Sequence, residues 1–127
     1  MSAATPEGGR FTTLVVEHHD DVPVLRLDGE LDLLTVPDLQ PSLYAVIAPT
    51  TGPVVLDLGD VTFLGSTGLR LLLAFQTDLA TEGRALRLVV GRNRAVIRPL
   101  KITGLDQVLD LHPDLDAAMA AATTQSP

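Results

Sequence analysis

The stretch that decides the fold is VVLDLGDVTFLGSTGLRLLL, residues 54–73, in which two apolar runs flank a short turn of hydroxyl residues and glycines. Residues 54–58 have the length and the β-branched and leucine content of a buried strand. Extended character resumes at 61–64, after a Gly59-Asp60 turn signal. From Ser66 onward, leucines recur at the spacing of an amphipathic helix. The segment therefore predicts strand, turn and helix, with Ser66 as the helix N-cap.

On that helix, two faces are distinguished by polarity. We expect the buried face to carry Leu69, Leu72, Leu73 and Leu79, and the outward face to carry Arg70, Gln76, Thr77 and Asp78.

Strands and helices alternate on both sides of this segment. Residues 12–18 and 22–28 are extended runs joined by the polar link 19–21, which predicts an antiparallel hairpin. The chain is then predicted to leave the second strand at residues 29–32. A helix is predicted over 36–47, with Pro37 near its start, and the helix from Ser66 ends at the stop signal Thr81-Glu82-Gly83. A strand at 86–90 follows, and then a helix from Asn93 to the C-cap signal Thr103-Gly104. The last predicted elements are an extended piece at 108–111 and a helix over 113–121.

This order predicts an α/β fold in one domain. A chain of 127 residues is long enough to bury one core. An initial hairpin followed by βα alternation gives an N-terminal antiparallel strand on a mostly parallel sheet of about four to five strands, with about four helices packed on it. We expect the domain to span 11–120, between flexible tails at 1–10 and 121–127.

Composition excludes several functions. A net charge of −7 would repel a nucleic acid backbone, so direct nucleic acid binding is not expected. The chain has no cysteine, which excludes thiol chemistry. The N-terminus does not resemble a signal peptide, and no apolar run reaches the roughly 18 residues that span a bilayer. We expect a cytoplasmic protein that does not contact the membrane.

Catalysis is also not expected. The sequence 65–68, GSTG, lacks the Gly-x-Ser-x-Gly spacing of a hydrolase elbow. A serine nucleophile would need a histidine base, but His18, His19 and His112 are interpreted as surface residues. No set of residues has metal-ligand spacing, and the only lysine, Lys101, is not part of a phosphate-binding loop. We predict a protein that is not an enzyme and has no metal or cofactor.

A basic stretch without any acid lies between residues 84 and 101. Its members are Arg84, Arg87, Arg92, Arg94, Arg98 and Lys101. On the predicted third helix, the last three share one face, opposite Val96, Ile97 and Leu100. This face is either simply solvated or a secondary contact for an acidic partner or an anionic ligand. Pro99 predicts a kink or an early break in that helix.

Ser66 has two interpretations from the residues alone. A serine at a helix N-terminus caps a free backbone N–H, which typically stabilises by about 1 kcal/mol. Alternatively, it accepts a phosphate, whose roughly −1.5 to −2 charges the helix dipole and free N–H groups would favour. In the second case phosphorylation leaves the fold intact and acts on the surface of a partner.

Three short motifs, in order, resemble a known family. They are GELD at 29–32, DLGDVTFLGSTGL at 57–69 and VIRPLKITGL at 96–105. Together they resemble the STAS domain of bacterial anti-sigma factor antagonists, and the resemblance covers residues 11–120.

The resemblance implies a partner-switching module. Unphosphorylated members bind an anti-sigma factor serine kinase of the histidine-kinase-like ATPase fold, which then releases its sigma factor. The kinase phosphorylates the serine of an Asp-Ser-Ser/Thr-Gly pattern, and a PP2C-type phosphatase reverses this. The matching acceptor is Ser66, with Thr67 as second choice, while Gly65 stands where the family has aspartate.

The resemblance also implies where partners bind. The expected surface comprises Glu30, Asp32, Gly65, Ser66, Thr67, Gly68 and Arg70. It also takes in the neighbours of Asp32 after the second strand, the loop 59–65 and the exposed side of the following helix, on a monomer or weak dimer. The alternative is a STAS scaffold or ligand-sensing module that is never phosphorylated.

Overall fold

A computed structural model describes residues 12–123 of the chain, and its five strands form one sheet. The strands are β1 (Thr12–His19), β2 (Val22–Leu31), β3 (Val54–Leu64), β4 (Leu86–Val89) and β5 (Asp110–His112). They lie in the order β1-β2-β3-β4-β5, with β1 antiparallel to β2 and each later pair parallel. The predicted fold class is confirmed.

Four α-helices of the described residues pack on this sheet. They are α1 (Val36–Ile47), α2 (Ser66–Thr81), α3 (Arg94–Thr103) and α4 (Leu115–Thr123). Along β3, Val54, Leu56 and Leu58 join the main core with α1, α2 and α3, whereas Val55 joins a smaller cluster with Ala118 of α4. Because neighbouring strand residues face opposite sides, α4 covers the sheet face opposite the main core.

The β1–β2 hairpin closes as predicted, through a turn of two aspartates. Asp20 and Asp21 both have positive φ, 51° and 66°. A two-residue turn with positive φ at both positions has a backbone twist that matches the twist of the two paired strands. Aspartate adopts positive φ more readily than most residues. His19 then pairs with Val22 across the turn.

Two strand boundaries predicted from the sequence are wrong. Residues 29–31 do not leave β2, because β3 pairs with it as far as Leu31 opposite Leu64. Likewise Gly59-Asp60 is not a turn. Instead β3 runs on, and shifts in its register against β2 absorb the extra residues as bulges.

Asn93 holds the bulged part of β3 in place. Its side-chain amide donates to the carbonyls of Leu58, Gly59 and Val61, at 2.9, 3.2 and 2.7 Å. Its Oδ1 accepts from the Ala95 N–H at 3.1 Å and so caps α3. The predicted start of α3 at Asn93 and its end at the left-handed Gly104 (φ 79°) are confirmed.

Pro99 does not break α3, so the prediction of an early break is wrong. The helix continues to Thr103, and Val96 and Leu100 on either side of Pro99 are fully buried. Packing of these side chains outweighs the loss of one backbone hydrogen bond.

The C-terminal elements are displaced by about two residues from their predicted places. β5 covers 110–112 and follows a short 3-10 helix, Leu105–Gln107, so His112 lies in a strand and not in a loop. α4 covers 115–123. The predicted tails at 1–10 and 121–127 lie outside the described residues, apart from 121–123, which α4 includes.

Candidate functional site

The carboxyl ends of β2 and β3 bring the two halves of the predicted surface together. The Gly65 N–H donates to the Leu31 carbonyl at 3.0 Å, which extends the pairing of the parallel strands to the start of α2. Residues 30–32 therefore lie beside residues 65–68, although more than 30 positions separate them in sequence.

Ser66 is the first residue of α2 and not its N-cap, so that prediction is wrong. The N-cap is Gly65, which is still extended (φ −89°, ψ −177°) because it remains bonded to β2. Gly65 has no side chain to cap the helix, and no side-chain cap bond is present. Ser66 is exposed to solvent. Capping therefore does not explain a serine at this position.

Gly68 serves packing. It is buried, and a Cβ built there would lie 2.8 Å from the Leu31 Cβ, 2.9 Å from the Leu31 carbonyl oxygen and 2.7 Å from Leu64 Cδ1. Only glycine lets α2 approach the end of β2 this closely. Thr67 beside it is half-buried, and Arg70, one turn further along, is exposed.

Asp32 organises the loop that leads into α1. Its Oδ1 accepts from the N–H groups of Leu34 and Thr35, at 2.9 and 3.1 Å. In return Thr35 Oγ1 accepts from the Asp32 N–H at 3.0 Å and donates to the Glu30 carbonyl at 2.6 Å. The Asp32 side chain is buried in this network, while Glu30 is half-buried. Asp32 therefore fixes the loop beside Ser66.

Sequence reasoning placed the neighbours of Asp32 and the segment 59–65 at this surface but did not identify the exposed apolar group that they contain. Leu33, Leu34 and Phe63 are 72%, 65% and 50% exposed. Phe63 lies against Gly65, since a Cβ built on Gly65 would be 2.9 Å from the ring. The adjacent leucines directly after Asp32, in a loop, were the signal available from sequence. We call Leu33, Leu34 and Phe63 the apolar rim.

The outer face of α2 also differs from expectation. Leu73 is 37% exposed, so its predicted burial is wrong. The stripe that is buried consists of Gly68, Leu71, Leu72, Phe75 and Leu79. Leu73 instead lines a shallow depression together with Ser66, Leu69, Arg70, Thr103 and Leu105. The surface around Ser66 thus continues towards the end of α3.

The histidines of the described residues do not form a catalytic group with Ser66. His19 Nε2 lies 2.9 Å from Glu17 Oε1, and the hydrogen bond from His19 holds the pKa of Glu17 below its usual value. His112 Nε2 lies 3.2 Å from Asp110 Oδ2. Within residues 12–123 no cluster of His, Asp or Glu could hold a metal ion. None of the helices described combines the length and apolar content needed to cross a bilayer.

The mixed sheet opened by a hairpin and the serine at the start of the helix after its central strand agree with the predicted STAS domain. The STAS domain model matches residues 13–118, and the chain belongs to that family.

Within the family, the chain is similar to two curated proteins and one solved structure that are named anti-sigma factor antagonists. The anti-sigma-F factor antagonist RsfB of Mycobacterium tuberculosis is 35% identical over 108 residues, which cover 84% of this chain and 86% of the relative. RsfA of the same organism, also named an anti-sigma-F factor antagonist, is 30% identical over 124 residues, 91% of this chain and 96% of RsfA. The crystal structure of an anti-sigma factor antagonist from Mycobacterium paratuberculosis superposes with a TM-score of 0.81 at 39% identity, covering 88% of this chain and 94% of that one.

Proposed function

We propose that the chain is an anti-sigma factor antagonist controlled by phosphorylation of Ser66. The unphosphorylated form binds an anti-sigma factor serine kinase of the histidine-kinase-like ATPase fold, which then releases a sigma factor in the cytoplasm. Phosphate on Ser66 blocks that binding, and a PP2C-type phosphatase removes it. The names of the relatives support the antagonist role. The proposed control by phosphorylation rests on one observation: Ser66 is exposed, does not cap α2 and lies beside the exposed apolar rim.

The apolar rim supplies the attraction. Its members are large apolar side chains exposed at the same edge of the sheet as Ser66, and such residues become anchors when a partner buries them. An interface of this transient kind buries about 800 Å² on each partner. We include Arg70, exposed one turn beyond Ser66, as a polar contact at its margin.

Phosphate at Ser66 would act on the partner and not on the fold. The first-turn N–H groups and the helix dipole of α2 favour an anion at this end. In the complex, however, the same dianion would be buried next to apolar side chains, and an unpaired buried charge costs several kcal/mol. Binding is therefore blocked by exclusion, without a conformational change.

Gly65 supports the second candidate, a STAS module that is never phosphorylated. The family's aspartate is absent there, and the nearby Asp32 is engaged in the α1 loop. The backbone at Gly65 is nevertheless open to other residues, because φ is −89° and a Cβ would meet only the movable ring of Phe63 at under 3.5 Å. Gly65→Asp therefore tests kinase recognition without backbone strain when it is compared with Gly65→Ala, which moves the Phe63 ring in the same way but adds no carboxylate.

Incubation with the cognate anti-sigma kinase and ATP, followed by mass spectrometry, separates the two candidates. We expect one phosphate on Ser66, none on Ser66→Ala, and faster transfer to Gly65→Asp. Thr67→Ala, which keeps Ser66, is the matched control and should still be modified. Binding of the kinase without any phosphate on the wild type or on Gly65→Asp would favour the scaffold. The chain itself is proposed to catalyse no reaction.

A further inference from the structure

The basic residues of 84–101 divide into two groups in the fold. Arg84 is buried, and its guanidinium donates to the carbonyls of Gly52 and Ile47, at 2.7 and 3.3 Å, and to Thr50 Oγ1 at 2.7 Å. Arg87 forms an ion pair with Asp110 across β4 and β5. These two arginines stabilise the fold and are not available to a partner.

The second group is exposed on and before α3. Arg92, Arg94, Arg98 and Lys101 all face solvent, and none forms an ion pair with another described residue. Arg94 and Arg98 are four residues apart, where like charges destabilise a helix by a few tenths of a kcal/mol. The chain therefore keeps uncompensated positive charges together on one element, although its net charge is −7.

An apolar side chain lies among these charges. Ile102 is 73% exposed and borders, with Arg94 and Arg98, an open groove of about 440 Å³ whose other lining residues are Ala95, Pro99 and Thr103. A second groove on the other side of Ile102 adds Ile97 and Lys101. We call the two together the α3 groove. Exposed apolar and cationic side chains thus occur together on one face of α3.

We propose that the α3 groove binds an acidic segment of a partner protein that carries an apolar side chain. Carboxylates of the segment pair with Arg94, Arg98 and Lys101, and its apolar side chain packs on Ile102. Charge complementarity with these arginines and the lysine selects an acidic segment, and the exposed side chain of Ile102 favours a peptide with an apolar residue over a phosphate backbone. Thr103 lines both this groove and the depression containing Ser66, so one partner could reach both.

Titration of the ¹⁵N-labelled chain with a synthetic peptide tests the site without any kinase. The probe contains Asp and Glu around two leucines, and its control has Asn and Gln in their place. We expect saturable shifts of the amide signals of 94–103 with the acidic probe, weakening as salt is raised. Arg98→Glu should reduce affinity about tenfold, and Ile102→Ser should also reduce it. Arg92→Glu makes the same charge change outside the groove, and its affinity for the acidic peptide should stay within about twofold of the wild-type affinity.

Several results would overturn the proposal. These are an absence of saturable shifts at residues 94–103, equal binding of the neutral peptide, equal binding of a DNA duplex, or an equal loss from Arg92→Glu. Self-association of the chain that Ile102→Ser abolishes would identify a second copy as the occupant and would also overturn it. The spectrum of each variant reports its folding, and none of these outcomes bears on the Ser66 switch.

Discussion

A methyl group added at position 68 would meet atoms that cannot easily move. Gly68→Ala places its Cβ within 3 Å of the Leu31 carbonyl and Cβ, both on β2. We expect a loss of about 1–3 kcal/mol in the free energy of unfolding, despite the roughly 1 kcal/mol that alanine gains in helix propensity. Urea denaturation measures this, with Gly65→Ala as the control, because there the clash is with the movable Phe63 ring. A Gly68→Ala variant as stable as Gly65→Ala would contradict the packing role.

Tyr44 provides a second test at the level of one side chain. Burial, and second to it the hydrogen bond to the Asp78 carboxylate, raise the pKa of Tyr44 from 10.0 to about 12. Because the folded pKa lies above the unfolded one, Tyr44 contributes stability that is complete below pH 10 and is lost as pH rises towards 12.

This chain has one tyrosine, so the ultraviolet absorbance of tyrosinate reports Tyr44 alone. We expect a midpoint near pH 12 in the folded chain and near 10 in denaturant, and a lower folded midpoint for Asp78→Asn. A folded midpoint at 10 would show that Tyr44 is neither buried nor bonded to Asp78.

Among the elements, the junction of β3 and α3 depends on a single amide. Asn93→Ala removes the two amide N–H donors that are shared among three β3 carbonyls, together with the α3 cap, so we expect a loss of about 2–4 kcal/mol in the free energy of unfolding. Asn93→Asp keeps an acceptor for the Ala95 N–H but no donor for the carbonyls. It should therefore also be destabilised, by more than about 1 kcal/mol, in the same urea titration. Wild-type stability of Asn93→Asp would mean that only the cap matters.

The helices and strands that could be predicted are those whose signals are local. α1 was predicted at its observed bounds because its apolar spacing and Pro37 lie within one segment, and Gly104 closes α3 for a similarly local reason. The bulges of β3 could not be predicted, because they arise in its pairing with β2 and are bonded by Asn93, both more than 25 residues away in sequence. Ser66 was predicted as the N-cap of α2 but is its first helical residue, because the hydrogen bond from the Gly65 N–H to the Leu31 carbonyl fixes where α2 starts.

At the scale of the whole molecule, the chain presents two surfaces that adjoin at Thr103. One combines Ser66 with the apolar rim at the carboxyl edge of the sheet, and the other is the cationic α3 groove. The sequence predicted the polar residues of the first surface through the family motifs. It placed the segments that hold Leu33, Leu34 and Phe63 there too, but not the exposure of these side chains, since that depends on which elements pack over them.

The affinity of the cognate anti-sigma kinase for the chain, measured by calorimetry with and without phosphate on Ser66, tests the central claim most directly. We expect tight binding of the unphosphorylated chain, and affinity about a hundredfold or more lower for the phosphorylated chain and for Ser66→Asp. Thr81→Asp, at the opposite end of α2, should bind as the wild type does. Equal affinity of the unphosphorylated and phosphorylated chains would contradict the switch at Ser66.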